Sequence, residues 1–131
     1  RELKKWGVEG KVEVVSRDDI KKMTLAKYKT IILDEAQDFA SPLFDRGGAR
    51  SQRATVIYNH VKAHPETHIL LLTATPVRST AWNIHTLACY LGIFWKVNDF
   101  RNEFFYLSDM YWRMHYEKVK WLQKLILPYI E

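Results

Sequence analysis

Two short apolar runs, each broken abruptly by polar residues, dominate the hydrophobic pattern of the chain. Thr30-Ile31-Ile32-Leu33 runs into Asp34-Glu35-Ala36-Gln37-Asp38, and His68-Ile69-Leu70-Leu71-Leu72 runs into Thr73-Ala74-Thr75-Pro76. A continuous apolar run of this length, bounded by polar residues, predicts a buried strand of a parallel sheet. Lys11-Val12-Glu13-Val14-Val15 alternates instead, which predicts a half-buried strand.

Helical segments fall between these runs. Residues 1 to 6 read as the end of a helix stopped at Gly7. Ser16 is an N-cap residue with Asp18 and Asp19 behind it, predicting a short helix from Arg17 to about Lys27. Asp38 to Gly48 holds Pro42 and Gly47-Gly48 and lacks periodicity, so a loop is expected. A helix from about Ala49 to His64 would bury Val56, Ile57 and Val61 and end before Pro65. Ser79 or Thr80 would cap a further helix to about Leu91, burying Ile84, Leu87 and Ala88, with Gly92 as its stop. Strands alternating with helices imply an α/β fold whose parallel sheet is covered on both faces.

Beyond Gly92 the pattern becomes aromatic. Phe94, Trp95, Phe100, Phe104, Phe105, Tyr106, Tyr111, Trp112 and Tyr116 fall within a short stretch. Phe104, Leu107, Met110, Tyr111 and Met114 recur at helical spacing, predicting helices over 101–107 and 108–127 that pack through an apolar face.

The polar residues at the ends of the two runs carry the candidate chemistry. In open α/β sheets ligands gather beyond the carboxyl ends of the strands. Asp34-Glu35-Ala36-Gln37 resembles motif II, the Walker B or DEAD/DEAH-type box, of superfamily 2 helicases. Thr73-Ala74-Thr75-Pro76 resembles their motif III, in the same order along the chain. Arg1-Glu2-Leu3-Lys4-Lys5-Trp6 is similar to the segment after motif Ia in Swi/Snf-type translocases. Lys124-Leu125-Ile126-Leu127-Pro128-Tyr129 is similar to the segment closing their first motor lobe. The resemblance implies a partial RecA-like lobe over 1–92, of the P-loop NTPase kind, with 93–131 as a helical extension of it.

It also implies roles and ligands. Asp34 would hold Mg2+, Glu35 would polarise the attacking water of ATP hydrolysis, and Gln37 would sense the γ-phosphate. Thr73 and Thr75 would couple that site to movement on nucleic acid, DNA ahead of RNA. Arg50, Arg53 and Arg78, with Arg46, are candidate contacts to the polymer backbone. The plainer reading of these arginines is a solvated helix face. Gln37 stands where histidine is commoner in the family, and Val77-Arg78-Ser79-Thr80 departs from the Swi/Snf continuation. Translocation and unwinding therefore both stay open.

One part of such a motor is missing from the sequence. No Gly-x-x-x-x-Gly-Lys-Ser/Thr occurs, and Gly47-Gly48-Ala49-Arg50-Ser51 lacks the lysine and follows no strand. In the family the phosphate cradle precedes the segment matched here, and a second lobe follows it. A chain opening on Arg1, inside an expected helix, is read as a piece of something longer whose partners are the rest of that motor. Alternatives are a non-catalytic lobe that binds nucleic acid or protein, and a metal-dependent nuclease built on Asp34, Glu35 and Asp38.

Composition changes this picture little. The 131 residues are 47% hydrophobic and 27% charged, enough for one domain with a core. A net charge of +5 suits a polyanionic partner, and a single cysteine, Cys89, excludes an internal disulfide. Nothing in the sequence reads as a signal peptide or a membrane span, so an intracellular protein, in cytoplasm or nucleus or of phage origin, is expected. His60, His64 and His68 have metal-like spacing, but Pro65 interrupts it and no cysteine or carboxylate completes a zinc set.

Overall fold

The computed structural model describes residues 7, 12–41, 51–75, 82–109, 111–115, 117–118 and 121. Its organising unit is a parallel pair of strands, β1 (Thr30–Leu33) and β2 (His68–Leu71). They run in register, Thr30 opposite His68 and Leu33 opposite Leu71. The fold is α/β, a small two-stranded parallel sheet with helices packed on it.

Apolar residues occupy both faces of the pair, yet only one face is covered among the described residues. Ile31 and Leu33 are buried, with Ile69 and Leu71 packed beside them. Ile32, paired with Leu70 on the opposite face, is 57% exposed. The expected cover on both faces is thus present on one.

The covered face meets α1 (Gln52–Ala63). Ser51 caps this helix, its hydroxyl oxygen accepting from the Ala54 amide at 3.4 Å, while its extended backbone marks the helix start. The helix ends at His64, whose backbone leaves the helical region ahead of Pro65. Ala54, Ile57 and Val61 turn inward at helical spacing. Ala49 and Arg50, expected inside the helix, lie outside the described residues.

Two earlier segments depart from expectation. Asp19–Lys22 and Leu25–Lys27 form separate 3-10 turns rather than one helix. Met23 and Thr24 between them are extended, and the Ser16 hydroxyl donates to the Asp19 carboxylate at 2.6 Å instead of capping an amide. Ile20 and Leu25, one from each turn, are buried in the core, with Met23 between the turns packed against it. Nor do residues 12–15 form a strand of the sheet. Val12 forms an isolated bridge, and Val12, Val14 and Val15 are exposed. Glu13 is instead held from the side by Lys27 and by the Tyr28 hydroxyl.

α2 (Trp82–Tyr90) is buried along all nine residues, because it lies between two apolar clusters. Leu87 and Tyr90 join the core under the sheet. Trp82 and Ile84 join a second core with Phe100, Phe104 and Phe105.

That second core is built differently from the expected helices. α3 (Val97–Phe104) is followed directly by an antiparallel hairpin, β3 (Phe105–Ser108) and β4 (Tyr111–Met114). Asp109, one of the two residues between the strands, is left-handed at φ 49°. Aspartate tolerates that conformation, and the flanking aromatic residues favour strands. Phe104 is buried as expected, but Leu107 is 62% exposed, so the helical stripe is not what packs. Residues 117–118 and 121 are helical, while residues 119–120 and 122–127 of the expected helix lie outside the described residues. Among the described residues no helix is long and apolar enough to cross a membrane.

Candidate functional site at the strand ends

The parallel ladder continues past the ends of the strands. The Leu72 amide donates to the Leu33 carbonyl at 3.0 Å, and the Ala36 amide donates back to the Leu72 carbonyl at 2.9 Å. These bonds bring Asp34-Glu35-Ala36-Gln37 and Thr73-Ala74-Thr75 to one edge. Asp34, Glu35 and Thr75 are exposed there, and Gln37 and Thr73 are half-buried.

Between Asp34 and Ala36 the chain reverses through Glu35, which is left-handed at φ 51° and ψ 53°. A glutamate in this region costs about 1 kcal/mol or more relative to the right-handed conformation. Its neighbours hold it there. Oδ1 of Asp34 accepts from the Glu35 amide at 3.0 Å, and the Glu35 carbonyl accepts from the Asp38 amide at 2.8 Å. Ala36 to Phe39 then form a 3-10 turn with Ala36 and Phe39 in the core. The two adjacent carboxylates consequently engage different groups, Asp34 its own turn and Glu35 the Gln37 amide.

A directional hydrogen-bond chain links the two strand ends. The Thr75 amide donates to Oγ1 of Thr73 at 3.1 Å. Thr73 Oγ1 donates in turn to Oε1 of Gln37, and Gln37 Nε2 donates to Oε2 of Glu35. The polarity is set at the Glu35 end, where the carboxylate accepts from the Gln37 side-chain amide, and it is compatible with the Thr75 amide, which can only donate. It follows that the Gln37 amide has one orientation, with its oxygen toward Thr73.

The turn carrying these groups is pinned from behind. The buried Tyr90 hydroxyl donates to the Phe39 carbonyl at 2.7 Å and lies 3.3 Å from the Ala54 carbonyl. Burial, with Cys89 beside it, pushes the Tyr90 hydroxyl well above its usual pKa, so it stays a donor. Thr86 Oγ1 donates to the Ser41 carbonyl at 2.9 Å. Asp38 pairs with Arg17, which removes it from the edge chemistry. Tyr90, Thr86 and Arg17 carry no motif, and sequence reasoning passed over them. The one available signal was the chain of apolar residues around Tyr90, which marks it as inward-facing.

Asp34 fits a magnesium ligand of the sparse kind. Its carboxylate is exposed, and one oxygen is oriented by the Glu35 amide. Magnesium is commonly held by one or two carboxylates together with water and substrate phosphates. No group of three acidic, histidine or cysteine side chains among the described residues could cage an ion. Asp34, Glu35 and Asp38 therefore do not form the cluster a nuclease would use.

The other expected residues are scattered. Arg46, Arg50 and Arg78 lie outside the described residues. Arg53 is 3.8 Å from Asp18, part of a loose ion pair on α1. His60 bonds Thr67 at 3.2 Å and His64 bonds Glu66 at 3.1 Å, so these histidines serve the turn before β2. Burial pushes the Cys89 thiol up to about 11, which makes it an inert core residue. A cavity beside α3, lined by Trp95, Phe100 and Trp121 among others, is separate from the acidic edge. It has no hydroxyl or amide side chain to offer a phosphate, so the edge is the better candidate for phosphate chemistry.

Comparison of the chain with protein-family models, with curated proteins and with solved structures found no match.

Proposed function

We infer that the chain is the later half of the first RecA-like lobe of a superfamily 2 helicase or nucleic-acid translocase. The observation that carries this reading is the bonded chain from Thr75 through Thr73 and Gln37 to Glu35. It joins two tetrapeptides, distant in sequence, at the edge where a triphosphate would bind.

Each residue has a task there. Asp34 would hold magnesium, which when bound neutralises charge across the phosphates. Glu35 is an exposed acceptor at the rim and would orient the attacking water and take its proton. Gln37 keeps Glu35 in place and reports its position to Thr73. A change at the Glu35 end, such as a new donor competing for its oxygen, would release Gln37 and reach the strand-end threonines. The sequence holds no phosphate-cradling Gly-x-x-x-x-Gly-Lys-Ser/Thr loop, so the 131-residue chain by itself should not turn over ATP.

The test is ATP turnover stimulated by DNA or RNA in the natural polypeptide that carries these residues. Glu35→Gln is expected to lower kcat by at least a hundredfold while leaving magnesium-dependent nucleotide binding in place. Turnover unaffected by Glu35→Gln would overturn the assignment. Absence of turnover in that polypeptide would favour an interaction module instead, and magnesium-dependent DNA cleavage without ATP a nuclease.

A further inference from the structure

The cavity beside α3 is not used by the proposed function and has a chemistry of its own. Trp95, Asp99, Phe100, Glu103, Phe104 and Trp121 line about 230 Å3. Phe100 and Phe104, each 1% exposed and with ring centres 4.8 Å apart, form its base. Trp95 stands 5.5 Å from Phe100 and 5.7 Å from Phe104, and Trp121 stands 5.6 Å from Phe104. Trp121 remains 52% exposed despite that contact.

Two carboxylates accompany the rings. Asp99 and Glu103 sit one turn apart on α3, each next in sequence to a base phenylalanine. Glu103 is paired with Lys118 at 2.8 Å. Asp99 has no ion-pair or hydrogen-bond partner among the described residues. With Glu103 paired to Lys118, which lies outside the lining, the charge left to the cavity is that of the Asp99 carboxylate.

We propose that this cavity binds a quaternary or fully methylated ammonium head group. Indole faces attract cations through their negative quadrupole, and a nearby carboxylate adds to that attraction. The volume is below the roughly 300–1,000 Å3 of cavities that take whole drug-sized ligands, which favours a single head group. An unmethylated lysine ammonium is compact and strongly hydrated, so it loses more water on entry. An apolar partner would fill the same walls but would gain nothing from Asp99, which is exposed and attracts only a cation.

The experiment titrates the chain with choline and with its uncharged isostere 3,3-dimethyl-1-butanol, following tryptophan fluorescence and calorimetric heat. Sodium chloride serves as the ionic-strength control. Saturable binding of choline, about tenfold or more tighter than the isostere, is the expected result. Trp121→Ala, at an exposed position, and Asp99→Asn should each weaken choline several-fold while the circular dichroism spectrum is unchanged. A short trimethyl-lysine peptide carries the same head group, and its affinity relative to choline identifies whether a protein or a small molecule supplies it. Equal affinity for choline and the isostere would mean a plain apolar slot and would overturn the proposal. So would the absence of saturable binding, or binding indifferent to both substitutions.

Discussion

The strand-end edge and the aromatic cluster beyond Gly92 present polar groups in opposite ways. At the edge, Glu35, Gln37 and Thr73 are exposed or half-buried, and each bond is short-range and directional. In the cluster, rings such as Phe100 and Phe104 are fully buried, and the carboxylates lie at the rim of a cavity. The first arrangement suits a reaction in which a proton or an orientation must be controlled. The second suits recognition of charge by surface shape. Both hang from α2, whose Trp82 and Tyr90 belong to different cores.

The largest expected effects test whether that shared helix makes the two cores one folding unit. Ile57→Ala empties the core under the sheet, and Phe100→Ala empties the aromatic one. They should cost about 2–5 and about 3–5 kcal/mol respectively. If α2 couples the cores, both variants shift a single urea transition seen alike by tryptophan fluorescence and far-ultraviolet circular dichroism. Two separated transitions, each moved by one variant, would break the comparison into independent parts.

Tyr90→Phe sharpens the same point at the site. It removes the donor to the Phe39 carbonyl without emptying the core, and should cost about 1–3 kcal/mol. The loss is expected to loosen the Ala36–Phe39 turn, so faster hydrogen exchange at the Asp38 and Ala40 amides accompanies it. Exchange unchanged at these amides would show that the turn is held without Tyr90.

The contrast also explains which parts were legible in the sequence. β1 and β2 are short, apolar and bounded, and parallel pairing then follows from the helix between them. Asp34 and Thr73 could be placed on one edge because strand ends are fixed by the ladder. The left-handed Glu35 could not, since its conformation is imposed by its own bonds to Asp34 and Asp38 and by the bond from the Ala36 amide across to Leu72, which depends on the neighbouring strand. Beyond Gly92 the difficulty was different. Phe104, Leu107 and Met114 match a helical period, but aromatic residues also favour strands, and Asp109 permits the tight reversal. Tertiary packing of Phe105 on Trp82, rings 4.3 Å apart, accompanies the hairpin. Residues 17–27 failed for lack of cooperativity, since two short turns with one buried residue each do not nucleate a helix.

A smaller effect separates function from stability at the edge. Asparagine occupies the left-handed region more readily than glutamate. Glu35→Asn should therefore raise stability by up to about 1 kcal/mol while removing the carboxylate that ends the hydrogen-bond chain. A chemical denaturation midpoint that falls instead would mean that the Gln37 bond outweighs the backbone strain.

The smallest effect expected is that of pH, and it distinguishes the two regions through their histidines. Burial lowers the pKa of both His60 and His85 below 6.5, helped at His60 by His64 and opposed there by Glu66, and opposed at His85 by its bond to the Trp95 carbonyl. The unfolded chain then binds more protons than the folded one between those lowered values and 6.5. Stability is complete above about 6.5 and is lost as the pH falls through the folded pKa values. The Glu66 and Glu13 carboxylates, both lowered from 4.5, act in a separate and more acidic window. His85 should contribute the larger slope. Its Nε2 already donates to the Trp95 carbonyl at 2.9 Å, and its buried Nδ1 has no hydrogen-bond partner to receive a second proton's charge. His60 by contrast lies against Thr67, with the Glu66 carboxylate nearby to favour its charged form. Denaturation midpoints measured between pH 7.5 and 5.5 should fall with acid in the parent chain. That fall should flatten more in His85→Gln than in His60→Gln, and the reverse order would assign the acid-sensitive region to the sheet core rather than to the aromatic one.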